Sequence, residues 1–404
     1  MITDLQTALS TNVKGMKRSA IRELLKFLGT PGLISFSGGF PAPATFPVEE
    51  LKDIIAKVMD TEAAFALQYG ATEGDNLLRT LLVERYKSQG IEMGLENLII
   101  TTASQQALDL IAKIFIDRDD YVFVGLPSYL GGLSAFNSYG AQMIGIPMDD
   151  EGEDPEFMEN ELKKLAAIGK KPKFIYLIPD FQNPAGVTMT EKRRKEILAL
   201  AHKYDVLILE DSPYRELRYE GKTQKTMYEL DGTGHVIMLG TFSKIFCPGF
   251  RIGWVVAHPD ILDKIVIAKQ ATDLCTPPFT QRIAARYIEK GLLDPKIEDI
   301  RQLYSKKQKG FLKALDQYMP EEFTWTKPEG GLFMMANAPQ YMDTNVLLMD
   351  CIKEQKVAYV AGTSFFCDGG GKNTLRLNFS YETLEKNEEG VKRLGDFFKS
   401  KLTK

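Results

Sequence analysis

Gly240-Thr241-Phe242-Ser243-Lys244-Ile245-Phe246-Cys247-Pro248-Gly249-Phe250-Arg251-Ile252-Gly253-Trp254 is the stretch from which the fold can be read. An apolar run, residues 235–239, ends where it begins, and a second, residues 254–257, takes up where it finishes. The segment therefore reads as a loop between two buried strands. Phe242, Ile245 and Phe246 are expected to hem in Lys244. Desolvation of that kind lowers an amine's pKa and frees it as a nucleophile. Thr241, Ser243 and Arg251 add two hydroxyls and a guanidinium, a set that suits a phosphate.

Working outward, comparable apolar runs recur at residues 98–101, 121–124, 143–146, 174–178 and 206–209. Each is short, does not alternate with polar residues, and is separated from the next by helical or loop sequence. Strands buried on both faces of a mainly parallel sheet have this signature, so the fold class is α/β. Residues 48–59 and 191–204 read as amphipathic helices in the same series. Ser104 is expected to cap a helix whose inner face is Ala107, Leu108, Leu110, Ile111, Ile114 and Phe115.

Upstream lies an arm. Residues 13–28 carry a helical pattern, with Met16, Ala20, Leu24, Phe27 and Leu28 near one face, and Gly29-Thr30-Pro31-Gly32 breaks it. A short extended run, residues 33–36, leads into the tight, backbone-exposing loop Ser37-Gly38-Gly39-Phe40-Pro41-Ala42-Pro43. Beyond Pro277 the composition shifts. Charged helical stretches at 280–292 and 296–318 precede strand-like runs at 323–326, 331–335, 357–360 and 374–379, and residues 385–402 read as a closing helix. We expect an N-terminal arm over residues 1–45, a large domain over 46–285 and a smaller α+β C-terminal domain over 286–404.

The 404 residues carry a net charge of −4, which gives no reason to expect a nucleic acid or an anionic membrane as partner. No signal peptide or membrane-length apolar run is visible. The four cysteines, Cys247, Cys275, Cys351 and Cys367, form no C-x-x-C pair, and a reducing cytoplasm is the expected location. The three histidines, His202, His235 and His258, are scattered, with no pair at ligand spacing, so no metal site is expected.

In an open parallel sheet, ligands bind beyond the carboxyl ends of the strands. After residues 98–101 comes Ala103-Ser104-Gln105-Gln106, a helix N-terminus that suits a phosphate, or a plain helix start. After 121–124 comes Pro127-Ser128-Tyr129, whose ring suits stacking on a planar ligand and equally suits a core. After 174–178, Asn183 of Gln182-Asn183-Pro184-Ala185-Gly186 is placed to hydrogen-bond a ring oxygen or to make a turn. After 206–209 stand Glu210 and Asp211, costly at the end of a buried strand unless a cation meets them, with Tyr214 close behind. A protonated pyridine nitrogen is such a cation. The strand ends together fit one planar, phosphorylated pyridine, and with the lysine loop they point to pyridoxal 5'-phosphate (PLP).

On these motifs, together with Gln68-Tyr69-Gly70 and Leu375-Arg376-Leu377-Asn378-Phe379, the chain resembles the fold-type I PLP-dependent aminotransferases of classes I and II. It looks most like the subgroup of kynurenine/2-aminoadipate and LysN-type enzymes. The resemblance covers essentially the whole chain. It implies Lys244 as the lysine that holds PLP and Asp211 as the partner of the pyridine nitrogen. Asn183 and Tyr214 match the groups on the ring hydroxyl, and Tyr129 matches the stacking aromatic. Ser104, Gln105, Ser243 and Arg251 match the phosphate site, with Thr241 standing where serine is common. Tyr69 matches a tyrosine that reaches the phosphate of the neighbouring subunit, which implies a homodimer with shared sites. Arg376 matches the anchor of the substrate α-carboxylate, and Gly39 is taken as a substrate-side residue.

The expected activity is ping-pong transfer of an amino group between an L-amino acid and 2-oxoglutarate. Arg22, in Ser19-Ala20-Ile21-Arg22-Glu23, matches an arginine that meets the distal end of the substrate, or it is a solvated helix residue. On the first reading it would pair a distal carboxylate, while Ile21 and Leu25 would turn toward an apolar side chain, giving donors that include 2-aminoadipate, aromatic and branched amino acids. Other PLP reactions on the same scaffold are the first rival, and Arg376 weighs against decarboxylation. A PLP-binding regulatory module is the second. It is disfavoured because the 1–45 arm holds one helical stretch and no basic patch.

Overall fold

The computed structural model describes residues 5–16, 18, 20–27 and 29–402, apart from the side chains of residues 6, 14, 20, 21 and 25. Its centre is an eight-stranded sheet. In spatial order the strands are Leu98–Thr101, Gly253–Val256, Val236–Thr241, Leu207–Asp211, Phe174–Leu177, Tyr121–Leu126, Gln142–Asp149 and Gly152–Glu153. The pairings from Val236–Thr241 across to Gln142–Asp149 are parallel. Gly253–Val256 is antiparallel to both neighbours. The apolar runs thus form a mainly parallel sheet, and the central strands are buried along their length. Residues of that kind satisfy their backbone groups in the ladder while helices cover both faces.

The helix after the first strand runs Ala103–Phe115, and Ala107, Leu108, Leu110 and Ile111 are buried as the pattern requires. Its cap differs from expectation. Thr102, not Ser104, occupies the N-cap, and it makes no side-chain cap bond. Ser104 lies inside the first turn, with Oγ 3.4 Å from the carbonyl of Gly240. Gly253 permits this approach, because a Cβ there would fall 2.7 Å from the Ser104 nitrogen. The helix start is thereby pressed against the strands that flank the lysine loop.

A second, four-stranded sheet orders Thr324–Trp325, Phe333–Asn337, Thr374–Asn378 and Val360–Ala361, all antiparallel. The long helix Leu293–Tyr318 bridges two cores. Ile297, Ile300 and Tyr304 join the core of the large sheet, while Phe311 and Leu315 join a core that includes Val391, Leu394 and Phe398 of the closing helix Leu384–Lys401.

The arm departs from its reading as one helix over 13–28. Thr11–Gly15 and Ala20–Leu25 are separate short helices, and Met16 between them is extended (φ −73°, ψ 137°) and exposed. Leu24 is buried and Phe27 half-buried, whereas Leu28 lies outside the described residues. Ile34–Ser35 pairs in parallel with Val357–Ala358, and Ile34 and Phe36 enter the second core. This crossing carries Ser37, Gly38 and Gly39 over the mouth of the large sheet. Among the described residues, no helix is long and apolar enough to cross a membrane.

Candidate active site

At the carboxyl ends of the strands a cavity of about 440 Å³ collects Ser104, Gln105, Tyr129, Asn183, Asp211, Tyr214, Thr241, Ser243, Lys244, Arg251, Arg376, Gly39 and Arg22. These are the residues singled out in the sequence, with the exception of Tyr69. That side chain is 80% exposed and lies outside the cavity of its own chain.

Lys244 Nζ donates to the Gly39 carbonyl at 2.8 Å. Burial brings its amine down to about 8, the Arg376 and Arg251 guanidinium groups push the same way, and Asp211 opposes them. The expected cause of that desolvation needs correction. Phe242, Ile245 and Phe246 are buried in the core, where Phe242 meets Trp254 and Phe246 meets Tyr287, and they do not line the cavity. The cavity wall is supplied instead by residues distant in sequence, including Ile178 and Phe333.

Asp211 ends its strand facing the same space. Burial pushes its carboxyl up to about 7, against a hydrogen bond from Tyr176 and the Lys244 charge. Tyr176 donates to Asp211 Oδ2 at 2.9 Å. Oδ1 is buried and, among the described residues, has no partner. A buried carboxylate oxygen left open is costly, and the chemistry it calls for is a cationic N–H. Glu210, the adjacent acid, turns elsewhere: Tyr228 donates its backbone N–H to Oε2 at 3.0 Å.

Arg376 is 1% exposed and, among the described residues, pairs with no carboxylate. Its Nη1 donates to Asn183 Oδ1 at 2.9 Å and its Nη2 to the Ser37 carbonyl at 2.8 Å, while Nε has no partner among the described residues. The guanidinium lies 4.1 Å from the Phe333 ring centroid. Burial lowers its pKa to about 10. Asn183 Nδ2 in turn donates to the Tyr214 hydroxyl at 3.3 Å. An unpaired, desolvated guanidinium of this kind suits a carboxylate ligand.

At the other side of the cavity, the first turn of Ala103–Phe115 brings Ser104 and Gln105 beside Thr241, Ser243 and Arg251. Thr241 Oγ1 lies 2.9 Å from Ser243 Oγ and accepts from the Ser243 N–H at 3.1 Å. Arg251 adopts a left-handed conformation (φ 54°, ψ 48°), which turns the chain out of the short 3-10 turn Pro248–Phe250. A helix start, hydroxyls and a guanidinium form an anion cradle. The Tyr129 hydroxyl lies 3.3 Å from Gln105 Oε1, and burial raises its pKa. Arg22, exposed on Ala20–Leu25, also lines the cavity and, among the described residues, makes no ion pair. The side chains of Ile21 and Leu25 lie outside the described residues.

Three contributors are not singled out as site residues in the sequence, although Ser37 belongs to the loop read there as backbone-exposing. Tyr176 sits inside an apolar strand, Phe333 opens a strand of the second sheet, and Ser37 acts through its backbone carbonyl. A tyrosine hydroxyl in a fully buried run is the one clue that was available, since it requires a partner.

The donor set fits PLP: an amine nucleophile, an open carboxylate oxygen and an anion cradle in one cavity. The aminotransferase class I and II profile matches residues 38–394, and the chain belongs to this family of PLP-dependent enzymes. It is 48% identical over 402 residues to aromatic-amino-acid aminotransferase 1 of Thermococcus litoralis, covering 99% of this chain and 96% of that one. It is 39% identical to the 2-aminoadipate transaminase of Thermus thermophilus, covering 96% and 95%. The crystal structure of Pyrococcus horikoshii kynurenine aminotransferase, in complex with PMP, superposes with a TM-score of 0.95 at 47% identity and full coverage of both chains.

Proposed function

We propose that this aminotransferase moves an amino group from 2-aminoadipate, aromatic or branched L-amino acids to 2-oxoglutarate by a ping-pong mechanism, as a homodimer with shared sites. The observation that carries the reading is the convergence of Lys244, the open oxygen of Asp211 and the unpaired Arg376 on one cavity. PLP supplies the carbonyl that takes up the amino group and a ring that accepts the electrons of the substrate Cα–H bond.

The rest is work for this chain's residues. Arg376 anchors the α-carboxylate, and Asn183, which accepts from Nη1, fixes the guanidinium plane. An anchored carboxylate stays on the substrate, which favours amino transfer over decarboxylation. Lys244, with its amine near pKa 8, removes the Cα proton in its neutral form and returns it on the far side of the transfer. Asp211 holds a proton on the ring nitrogen, with Tyr176 keeping its second oxygen occupied. Ser104, Gln105, Ser243, Thr241 and Arg251 take the phosphate. Arg22 meets a distal carboxylate when the substrate carries one. Tyr69, exposed beside Phe65 and Leu67, reaches the phosphate of the second subunit.

The test is a screen of amino donors against 2-oxoglutarate, followed by initial-rate kinetics on the best pair. Parallel double-reciprocal lines are expected for ping-pong transfer. Intersecting lines, or no turnover with any acidic, aromatic or branched donor, would overturn the reading.

A further inference from the structure

At the opposite end of the lysine strand, two of the histidines that look scattered in sequence, His202 and His235, come together. His202 lies in the last turn of helix Glu191–Tyr204, Asp231 ends helix Met227–Asp231, and His235 directly precedes strand Val236–Thr241. One ligand atom from each, two imidazole nitrogens and a carboxylate oxygen, lies within 4.8 Å of the others. No ligand spacing along the chain announces this group. The residues are far apart or oddly spaced along the chain, and only the parallel sheet brings the helix end to the strand start.

The hydrogen bonding of the cluster points to a ligand. His235 Nε2 lies 3.4 Å from Asp205 Oδ1, and in the tautomer that donates Nε2–H to this carboxylate the Nδ1 lone pair turns inward. A carboxylate behind a histidine is the arrangement that orients metal ligands. Asp231 Oδ2 accepts the Val236 backbone N–H at 3.2 Å, which fixes the carboxylate and leaves Oδ1 facing the cluster. His202 Nε2 approaches Oδ1 at 2.7 Å. The Thr233 hydroxyl lies 2.8 Å from His235 Nδ1, 3.1 Å from His202 Nε2, and in hydrogen-bond contact with Asp231 Oδ1. One hydroxyl has one proton. In that tautomer it cannot serve both Asp231 Oδ1 and His235 Nδ1, so lone pairs face one another across the cluster. A cation relieves that repulsion.

We propose that His202 Nε2, His235 Nδ1 and Asp231 Oδ1 form a surface binding site for a borderline divalent metal ion such as Zn²⁺. Two imidazoles and one carboxylate match that class, with solvent completing a fourth position. Around a tetrahedral Zn²⁺ such atoms stand ~3.3 Å apart, so side-chain adjustments of about 1 Å suffice. The site lies roughly 20 Å from Thr241, at the lysine-loop end of the strand, from a rise of ~3.3 Å per residue. The ion therefore clamps two helix ends to the start of the lysine strand and takes no part in amino transfer.

The test titrates chelator-treated, PLP-loaded enzyme with Zn²⁺ alone in a buffer free of phosphate. Calorimetry should give one saturable ion per chain, and the melting temperature should rise by about 3 °C once free metal is ~100-fold above Kd. His202→Gln, His235→Gln and their combination should lose both effects, with transamination unchanged. His258→Gln, at a histidine that instead accepts the Asp260 N–H, should retain both. Absence of saturable binding in the wild type, or binding that survives the double substitution, would overturn the proposal.

Discussion

Tyr176 and Asp211, side by side on parallel strands, divide the carboxylate between them and the cavity. The tyrosine hydroxyl occupies Oδ2 at 2.9 Å, while Oδ1 stays buried and open. The strand register sets this, since Tyr176 pairs with Leu209 and so stands two residues short of Asp211. One oxygen is held in place, and the other is left to a cationic ligand.

Asp211→Asn removes the charge but keeps the shape. PLP should still bind, and the half-reaction with an amino donor should slow by roughly 10²–10³-fold, the scale for loss of one preorganised electrostatic contact. Single-turnover absorbance reads the rate, and an unchanged value would remove Asp211 from the role. Tyr176→Phe should slow the same step by about 10-fold, the scale of a hydrogen bond to a charged group.

The pH dependence of PLP loading follows from Lys244. Its amine is brought down to about 8 by burial, so the neutral, nucleophilic form grows as pH rises toward 8 and is dominant above it. The rate of covalent loading of the apoenzyme should climb up to about pH 8 and then level. A climb continuing to pH 10 would mean an ordinary, solvated lysine.

The site was largely legible and its supports were not. Lys244, Asp211, Asn183 and Tyr129 each follow an apolar run, and in a parallel sheet such ends must converge. Tyr176 and Phe333 act across long sequence separations and leave little local trace, whereas Ser37 lies in the loop read as backbone-exposing. Lys244 was read correctly as a desolvated amine for the wrong reason. Phe242, Ile245 and Phe246 face the core, as the burial of all three shows. In the arm, a helical spacing over 13–28 says nothing of the extended break at Met16.

The proposed homodimer predicts complementation. Tyr69 lies outside the cavity of its own chain, so a Tyr69→Phe subunit and a Lys244→Ala subunit each fail in a different half of a shared site. Mixing the two inactive dimers should restore part of the activity through hybrids. No recovery, with subunit exchange verified by mass, would place each site within one chain.

Arg22 predicts a split in specificity. Arg22→Ala should lower kcat/KM by roughly 10–100-fold for 2-aminoadipate, the scale of one charged hydrogen bond, and little for an aromatic donor. Equal losses for both donors would mean that the helix Ala20–Leu25 gates the cavity without reading the distal carboxylate.

The central claim is that Lys244 carries both PLP and the Cα proton. The most direct measurement is the amino-transfer rate of Lys244→Ala with PLP supplied in excess, beside a circular dichroism melt to verify the fold. The account predicts a folded protein whose turnover falls by several orders of magnitude. A folded variant turning over near the wild-type rate would contradict it.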